Sequence, residues 1–238
     1  MKLFALKPTQ DLVDDHKSHF NKLIKTGLVT VIDEITDQHQ QGLVFRGTAQ
    51  LQEDNSIFFK AQQYTYEYLS GLKLPLFNSD FIVLNETFFD RPLQQDSFVK
   101  PNNKLKSFQP TILKKGESIL NLGLSPDEMK GLEVVVCSPK DISDVIEVRA
   151  IVFKGALCSM AITSHEDKSL KINSDTIKFL LKIIRRLPKS ASCIVDIAVK
   201  GTTCSIMELN PLETSGFFLD DYTRTLELFS KYEIPPEG

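Results

Sequence analysis

The sequence predicts an α+β protein, with a small α/β unit over residues 1–95 and a larger α+β region over residues 96–238. Up to about residue 90, short apolar runs alternate with helical patterns, as they do in an open layer of parallel strands. From about residue 96, strand-like runs follow one another, two pairs of them joined by Lys-Gly turns, and one long amphipathic segment interrupts them. Composition agrees with a packed chain, because 42% of the 238 residues are hydrophobic and 25% charged. A chain of this length buries roughly 70% or more of its unfolded surface and needs no disulfide or metal staple.

Each element has its own signal. "KLFAL" reads as a strand, and "PTQDLVDDHKSHFNKLIKTG" as a helix with Leu12, Val13, Phe20, Leu23 and Ile24 on its apolar face and Gly27 at its end. "LVTVID", "GLVF" and "FIVLN" (81–85) read as further strands of the parallel layer, with a helix around residues 62–72 before the last. No GxGxxG follows the first strand, so a dinucleotide fingerprint is absent. "SFVKP", "QPTILKK", "GLEVVVCSP", "DVIEVRAIVFKGALCSMAI" and "ASCIVDIAVKGTTCSIMELN" then read as short strands and hairpins. "NSDTIKFLLKIIRRLP" is the long helix, with Asn173 or Ser174 as N-cap and Pro188 as stop, and "DDYTRTLELFSKYE" is the last.

Several function classes recede at once. A net charge of −3 argues against a dedicated nucleic-acid binder. The first residues hold too short an apolar run for a signal peptide, and no run approaches the ~20 residues of a membrane span, so a cytoplasmic protein is expected. Cys137, Cys158, Cys193 and Cys204 sit in apolar runs without a CxxC pair and read as buried free thiols. His16, His19, His39 and His165 are scattered, and no Ser-His-Asp constellation is readable.

The polar residues inside the strands are the informative ones. In "TCSIMELN", Glu208 and Asn210 are two apart and share a face of their strand. Asp196 lies on the partner strand, and it shares that face only if the hairpin loop has an odd number of residues. A three-residue loop, Lys200-Gly201-Thr202, satisfies this. Two carboxylates and an amide carbonyl would then suit Mg²⁺, while a solvent-facing patch is the plain alternative. Lys100 ends a strand before Pro101, with Lys104 and Lys106 in the polar loop after it, a placement from which lysines reach phosphates, while a solvated loop is the plain alternative. Glu147 and Arg149, also two apart, are either a surface ion pair or a ribose acceptor beside a phosphate or carboxylate clamp. Arg46 follows an apolar strand before Gly47-Thr48, facing the crevice of an open α/β sheet, and is either a grip for a carboxylate or phosphate or a surface residue.

In order, "FVKP", "KSF", "VVVCSP", "EVR", "VDIAV" and "MELNPLETSGFF" resemble the ATP-grasp superfamily, and most closely its small bacterial and phage clade named for two arginines and a lysine. The resemblance covers about residues 96–220. Two departures stand out: Lys100 occupies the place of the clade's first arginine, and Ile194 stands where amino-acid ligases of the superfamily often carry Arg. The resemblance implies two α+β subdomains that hold ATP between them, after a preceding α/β domain. It implies adenine against backbone around Val136 and Cys137, and Glu147 on the ribose or else orienting Arg149. Lys100 and Lys106 would hold phosphates, and Asp196, Glu208 and Asn210 would hold one or two Mg²⁺. The implied reaction is carboxylate–amine ligation through an acyl phosphate, with Arg149 and Lys106 as catalytic groups and Arg46 and Arg149 as substrate contacts. Its partners would be a carboxylate-bearing substrate and an amine acceptor, whether small molecule, peptide or protein. A non-catalytic nucleotide-binding or interaction module, and an ATP-dependent phosphotransferase, are the alternatives on the same fold.

Overall fold

Leu3, Phe4 and Ala5 are buried in succession, so the first strand, β1 (Lys2–Leu6), is covered on both faces like the centre of a parallel sheet. It lies between β2 (Thr30–Ile32) and β3 (Gly42–Phe45), both parallel to it. At Gly42 an added Cβ would stand 2.5 Å from the Phe4 ring, so the absence of a side chain there admits the aromatic. The helix α1 (Asp14–Lys25) buries Leu23 and ends where Gly27, at φ +68, takes the left-handed position that terminates helices. The structure is a computed structural model and describes residues 1–7, 14–39, 42–45, 64–103, 107–163, 171–212 and 222–231, with backbone alone at 14–19 and 37. Leu12 and Val13 of the expected helix lie outside these residues.

The run at 81–85 does not join the parallel layer as expected. It forms β4 (Ile82–Asn85), which pairs antiparallel with β7 (Glu133–Cys137) in a second sheet of order β4-β7-β5-β6. In that sheet β5 is Ser97–Pro101 and β6 is Thr111–Leu113. A short apolar run specifies a strand but not its partner, and here the partner lies about fifty residues downstream. One face of this sheet carries Val99, Leu113, Val134 and Val136 into a core with Phe89, Ile119 and Leu132. The single-turn helix α3 (Pro126–Met129), capped by Ser125, adds Met129 to its edge. The other face presents Phe98, Lys100, Val135 and Cys137.

The third sheet is wholly antiparallel, in the order β11-β10-β8-β9, from β8 (Ile146–Phe153), β9 (Ala156–Ile162), β10 (Cys193–Lys200) and β11 (Thr203–Pro211). Lys154 and Gly155 both have positive φ in the tight β8–β9 turn, which matches the twist of a two-residue hairpin. The expected long helix is α4 (Ser174–Ile184), and the Asn173 side chain accepts from the Thr176 amide at 2.8 Å. Its Phe179, Leu180 and Ile183 bury one face of the sheet through Val148, Ala150, Val152, Val195 and Ile197.

The opposite face of this sheet is divided. Ile151 and Ile194 enter a second core with Leu3, Leu43 and Phe45 of the parallel sheet and with Leu226 and Phe229 of α5 (Tyr222–Ser230). The Met1 ammonium donates to the Ser230 carbonyl at 2.7 Å and ties α5 to β1. The remaining half of that face is polar. Between the two large sheets runs residues 64–78, whose helix α2 (Tyr66–Gly71) buries Leu69 in the main core. The chain then lies along β11, where Phe77 N–H donates to Ile206 O at 2.8 Å and Ile206 N–H to Pro75 O at 2.9 Å.

Candidate active site

The β10–β11 hairpin closes with Lys200 opposite Thr203, so its loop is Gly201-Thr202, two residues rather than the three expected. Carried on regularly, that register would set Asp196 opposite Met207 and turn Glu208 to the far face. A bulge between Asp196 and Ile197 prevents this, because Ile197 pairs with Ile206 while Asp196 pairs with Glu208. Met207 is the extra residue. Asp196 and Glu208 thus share a face, as expected, but the bulge brings them together and not the loop length.

Strand pairing completes the cluster. Arg149 is opposite Asp196 on β8, and its Nε and Nη2 donate to Asp196 Oδ1 and Oδ2 at 2.7 and 2.8 Å. Asn210 Nδ2 donates to Asp196 Oδ2 at 3.1 Å and to Glu208 Oε1 at 2.8 Å. From the other sheet, Lys100 Nζ reaches Glu208 Oε2 at 2.6 Å. Lys100, Arg149, Asp196, Glu208 and Asn210, distant in sequence, therefore form one connected polar group between two sheets.

Burial sets the electrostatics. The Asp196 side chain is 1% exposed, and burial pushes its carboxyl up to about 7 against the pull of Arg149. Burial acts on Glu208 in the same sense, but the Lys100 ammonium overrides it and brings this carboxyl down to about 2. Lys100 in turn is disfavoured as a cation by burial, yet Glu208 and Tyr66 hold its pKa above the ordinary lysine value. Lys100 thus favours the charged form of Glu208, while burial and the Arg149 fork act on Asp196 in opposite senses.

The other expected residues fall in different places. Glu147 lies on the same face as Arg149, opposite Ala198. Cys137 is on the Lys100 face of its sheet, whereas the Val136 side chain points into the core beyond it. Burial pushes the Cys137 thiol up to about 11, and none of the four cysteines forms a disulfide. Ser138 N–H, just past the strand, donates to Asp80 Oδ2 at 3.0 Å. A pocket of about 440 Å³ lined by Ile82, Leu84, Arg91 and Val136 opens on the side of this sheet away from Lys100 and takes no part in the cluster. Lys106, Arg46 and the Gly216-Phe217-Phe218 stretch lie outside the described residues. Ile194 is fully buried against the parallel-sheet unit, an apolar contact that an arginine there would break.

Sequence reasoning missed Tyr66, Asn78 and Asn102. Asn102 Nδ2 donates to Glu67 and Glu133, each at 3.0 Å, and its Oδ1 accepts from Tyr66 N–H at 2.9 Å. The "PNN" that follows Lys100 is the one signal for Asn102; a tyrosine among Tyr64, Tyr66 and Tyr68 reads as ordinary core.

The fit of Mg²⁺ follows from the donor chemistry. Asp196 and Glu208 offer hard carboxylate oxygens, and Asn210, whose Nδ2 donates to both, would have to turn its amide oxygen toward the ion. Among the described residues no group of three or more His, Cys, Asp or Glu could hold a metal ion, so Asn210 would have to be the third donor.

A family model for the ATP-grasp domain, R2K clade family 2, matches residues 78–224, more than half of the chain. Among solved structures, D-alanine–D-alanine ligase from Bacillus anthracis complexed with ATP is similar with a TM-score of 0.60 at 14% identity, covering 95% of this chain and 94% of that one. The same ligase in another crystal structure gives 0.62 at 13%, covering 95% of each chain. D-cycloserine synthetase DcsG gives 0.59 at 12%, covering 94% of this chain and 97% of that one. No curated protein matches the sequence. Likeness at such identity is one of fold, and it agrees with the two antiparallel sheets that meet at the Lys100–Glu208 pair. By its family match, this chain is a member of the ATP-grasp superfamily, R2K clade family 2.

Proposed function

We propose that the chain is an ATP-dependent carboxylate–amine ligase that works through an acyl phosphate. The observation that carries this reading is the meeting of Lys100 from one sheet with Asp196, Glu208 and Asn210 from the other, cation against carboxylates, in the space between the sheets. Family membership supports nucleotide use, and the ligase names of the structural neighbours support the reaction class.

In this reading Lys100 binds phosphate oxygens as a point charge, and Lys106 does the same from the loop after it. Adenine meets backbone around Val136 and Cys137, and Glu147 holds the ribose or orients Arg149. Asp196, Glu208 and Asn210 hold Mg²⁺, which would neutralise charge on the phosphoryl oxygens. ATP brings phosphates that compete for Lys100, so the Lys100–Glu208 bond gives way to phosphate on one side and leaves Glu208 free on the other. When Asp196 is engaged elsewhere, the Arg149 fork is released toward the incoming carboxylate, and Arg46 is a further contact for the acceptor. A carboxylate oxygen then attacks the γ-phosphorus as the bond to ADP breaks. The amine nitrogen attacks the resulting acyl carbon, expelling phosphate and losing a proton. The chain's own contribution is positioning and fixed charge.

The test begins with the thermal midpoint with and without Mg²⁺ plus a non-hydrolysable ATP analogue. Ligand at 100 times its Kd stabilises by about 2.7 kcal/mol, a rise of about 5–11 °C for a chain of this size. Phosphate release from ATP is then measured over a panel of carboxylates and amines. Phosphate release that needs both supports the ligase, ADP formed with carboxylate alone and without free phosphate a phosphotransferase, and binding without turnover a nucleotide-binding module. No midpoint shift refutes the nucleotide site.

A further inference from the structure

Tyr66 precedes the segment that the family model matches, yet it touches both halves of the candidate site. Its hydroxyl donates to the Met207 carbonyl at 3.3 Å, and Met207 is the bulge residue that brings Glu208 onto the face of Asp196. Asn78 Nδ2 donates to the same hydroxyl oxygen at 3.1 Å, which leaves the single hydroxyl proton for Met207. The Lys100 ammonium stands 5.4 Å from the centroid of the Tyr66 ring, within reach of a cation–π attraction.

The residue itself is held from several sides. Tyr66 is 4% exposed, and Phe81 meets its ring edge-on at 5.1 Å between centroids. Its N–H is received by Asn102, two residues beyond Lys100 in the chain. Burial raises its pKa above the ordinary tyrosine value, so the hydroxyl remains a neutral donor.

We propose that Tyr66 is a positioning residue of the nucleotide–metal site, whose hydroxyl fixes the bulge that aims Glu208 and whose ring fixes Lys100. The inference rests on the ligase reading of that site and adds to it a residue from outside the matched domain. The two parts of one side chain serve different ligands. The hydroxyl acts on the carboxylate that meets Mg²⁺, and the ring on the lysine that meets phosphate.

The experiment uses the full chain with AMP-PNP and a Mg²⁺ titration, reading nucleotide affinity and thermal midpoint. Tyr66→Phe keeps the ring and loses the hydroxyl. It should raise the Mg²⁺ half-saturation about fivefold, the worth of one hydrogen bond, and leave metal-free nucleotide affinity at the wild-type value. Asn78→Ala should move the same constant in the same direction. Tyr66→Leu should also weaken metal-free nucleotide binding; if it fails to fold, the other two variants carry the test. Leu69→Val, fully buried on the same helix, should lower the midpoint and move neither constant. The inference is overturned if Tyr66→Phe behaves like Leu69→Val. Wild-type protein that binds no nucleotide with Mg²⁺ would overturn the ligase reading itself, and the inference with it.

Discussion

Lys100 Nζ lies 2.6 Å from Glu208 Oε2, and this ion pair joins the sheet built from residues 82–137 to the sheet built from residues 146–211. The lysine side chain is 14% exposed and the glutamate 36%, so the pair is shielded on one side and wet on the other. Without a ligand each partner satisfies the other. A triphosphate and a divalent cation would divide them.

Lys100→Met removes the cation and leaves a half-shielded carboxylate. With the discount for solvent at Glu208, we expect a loss of about 1–2 kcal/mol, a midpoint lower by about 2–8 °C. The Kd for an ATP analogue should rise about tenfold or more, the worth of a charge-assisted bond. An unchanged Kd would remove Lys100 from the phosphate site.

Arg149→Lys keeps the charge and breaks the fork on Asp196, since an ammonium cannot reproduce the paired bonds at 2.7 and 2.8 Å. Thermal denaturation should show a loss of about 1.5–3 kcal/mol, one hydrogen bond to a buried charge. A wild-type midpoint would mean that lysine satisfies Asp196 equally well.

Gly201 sits at φ +60 in the loop that sets the register of β10 and β11. A Cβ there meets nothing within 4 Å, so Gly201→Ala carries only the backbone penalty, about 1–2 kcal/mol. Denaturant unfolding with an unchanged slope checks this; full wild-type stability would show that the turn relaxes to negative φ.

Asp80 faces Ser138 at the end of β7, and hydrogen bonding to the Ser138 side chain first, with its backbone N–H second, lowers the carboxyl to about 2. A depressed folded pKa contributes stability that is complete above the unfolded value of 3.8 and is lost as pH falls through about 2. The midpoint of wild-type protein should therefore fall more steeply than that of Asp80→Asn between pH 4 and 2. The difference should be small, because the side chain is 40% exposed. Parallel curves would show that the Ser138 bond does not couple to folding.

Much of this arrangement was legible in the chain itself. Strand alternation put Glu208 with Asn210 and Glu147 with Arg149, because residues two apart on a strand share a face whatever packs on it. The Asn173 cap, the Gly27 stop and the Lys154-Gly155 turn follow from local backbone chemistry, which neighbours in space do not change. Other features needed the folded chain. A five-residue apolar run at 81–85 states that it is a strand, but its pairing with β7 depends on which edge is open. The register that joins Asp196 to Glu208 is set by a bulge at Met207, held by a tyrosine hydroxyl from more than a hundred residues upstream. Periodicity encodes which face a side chain takes. Which distant group meets it there is decided only when the sheets pack, because burial and ion pairing act through space and not along the sequence.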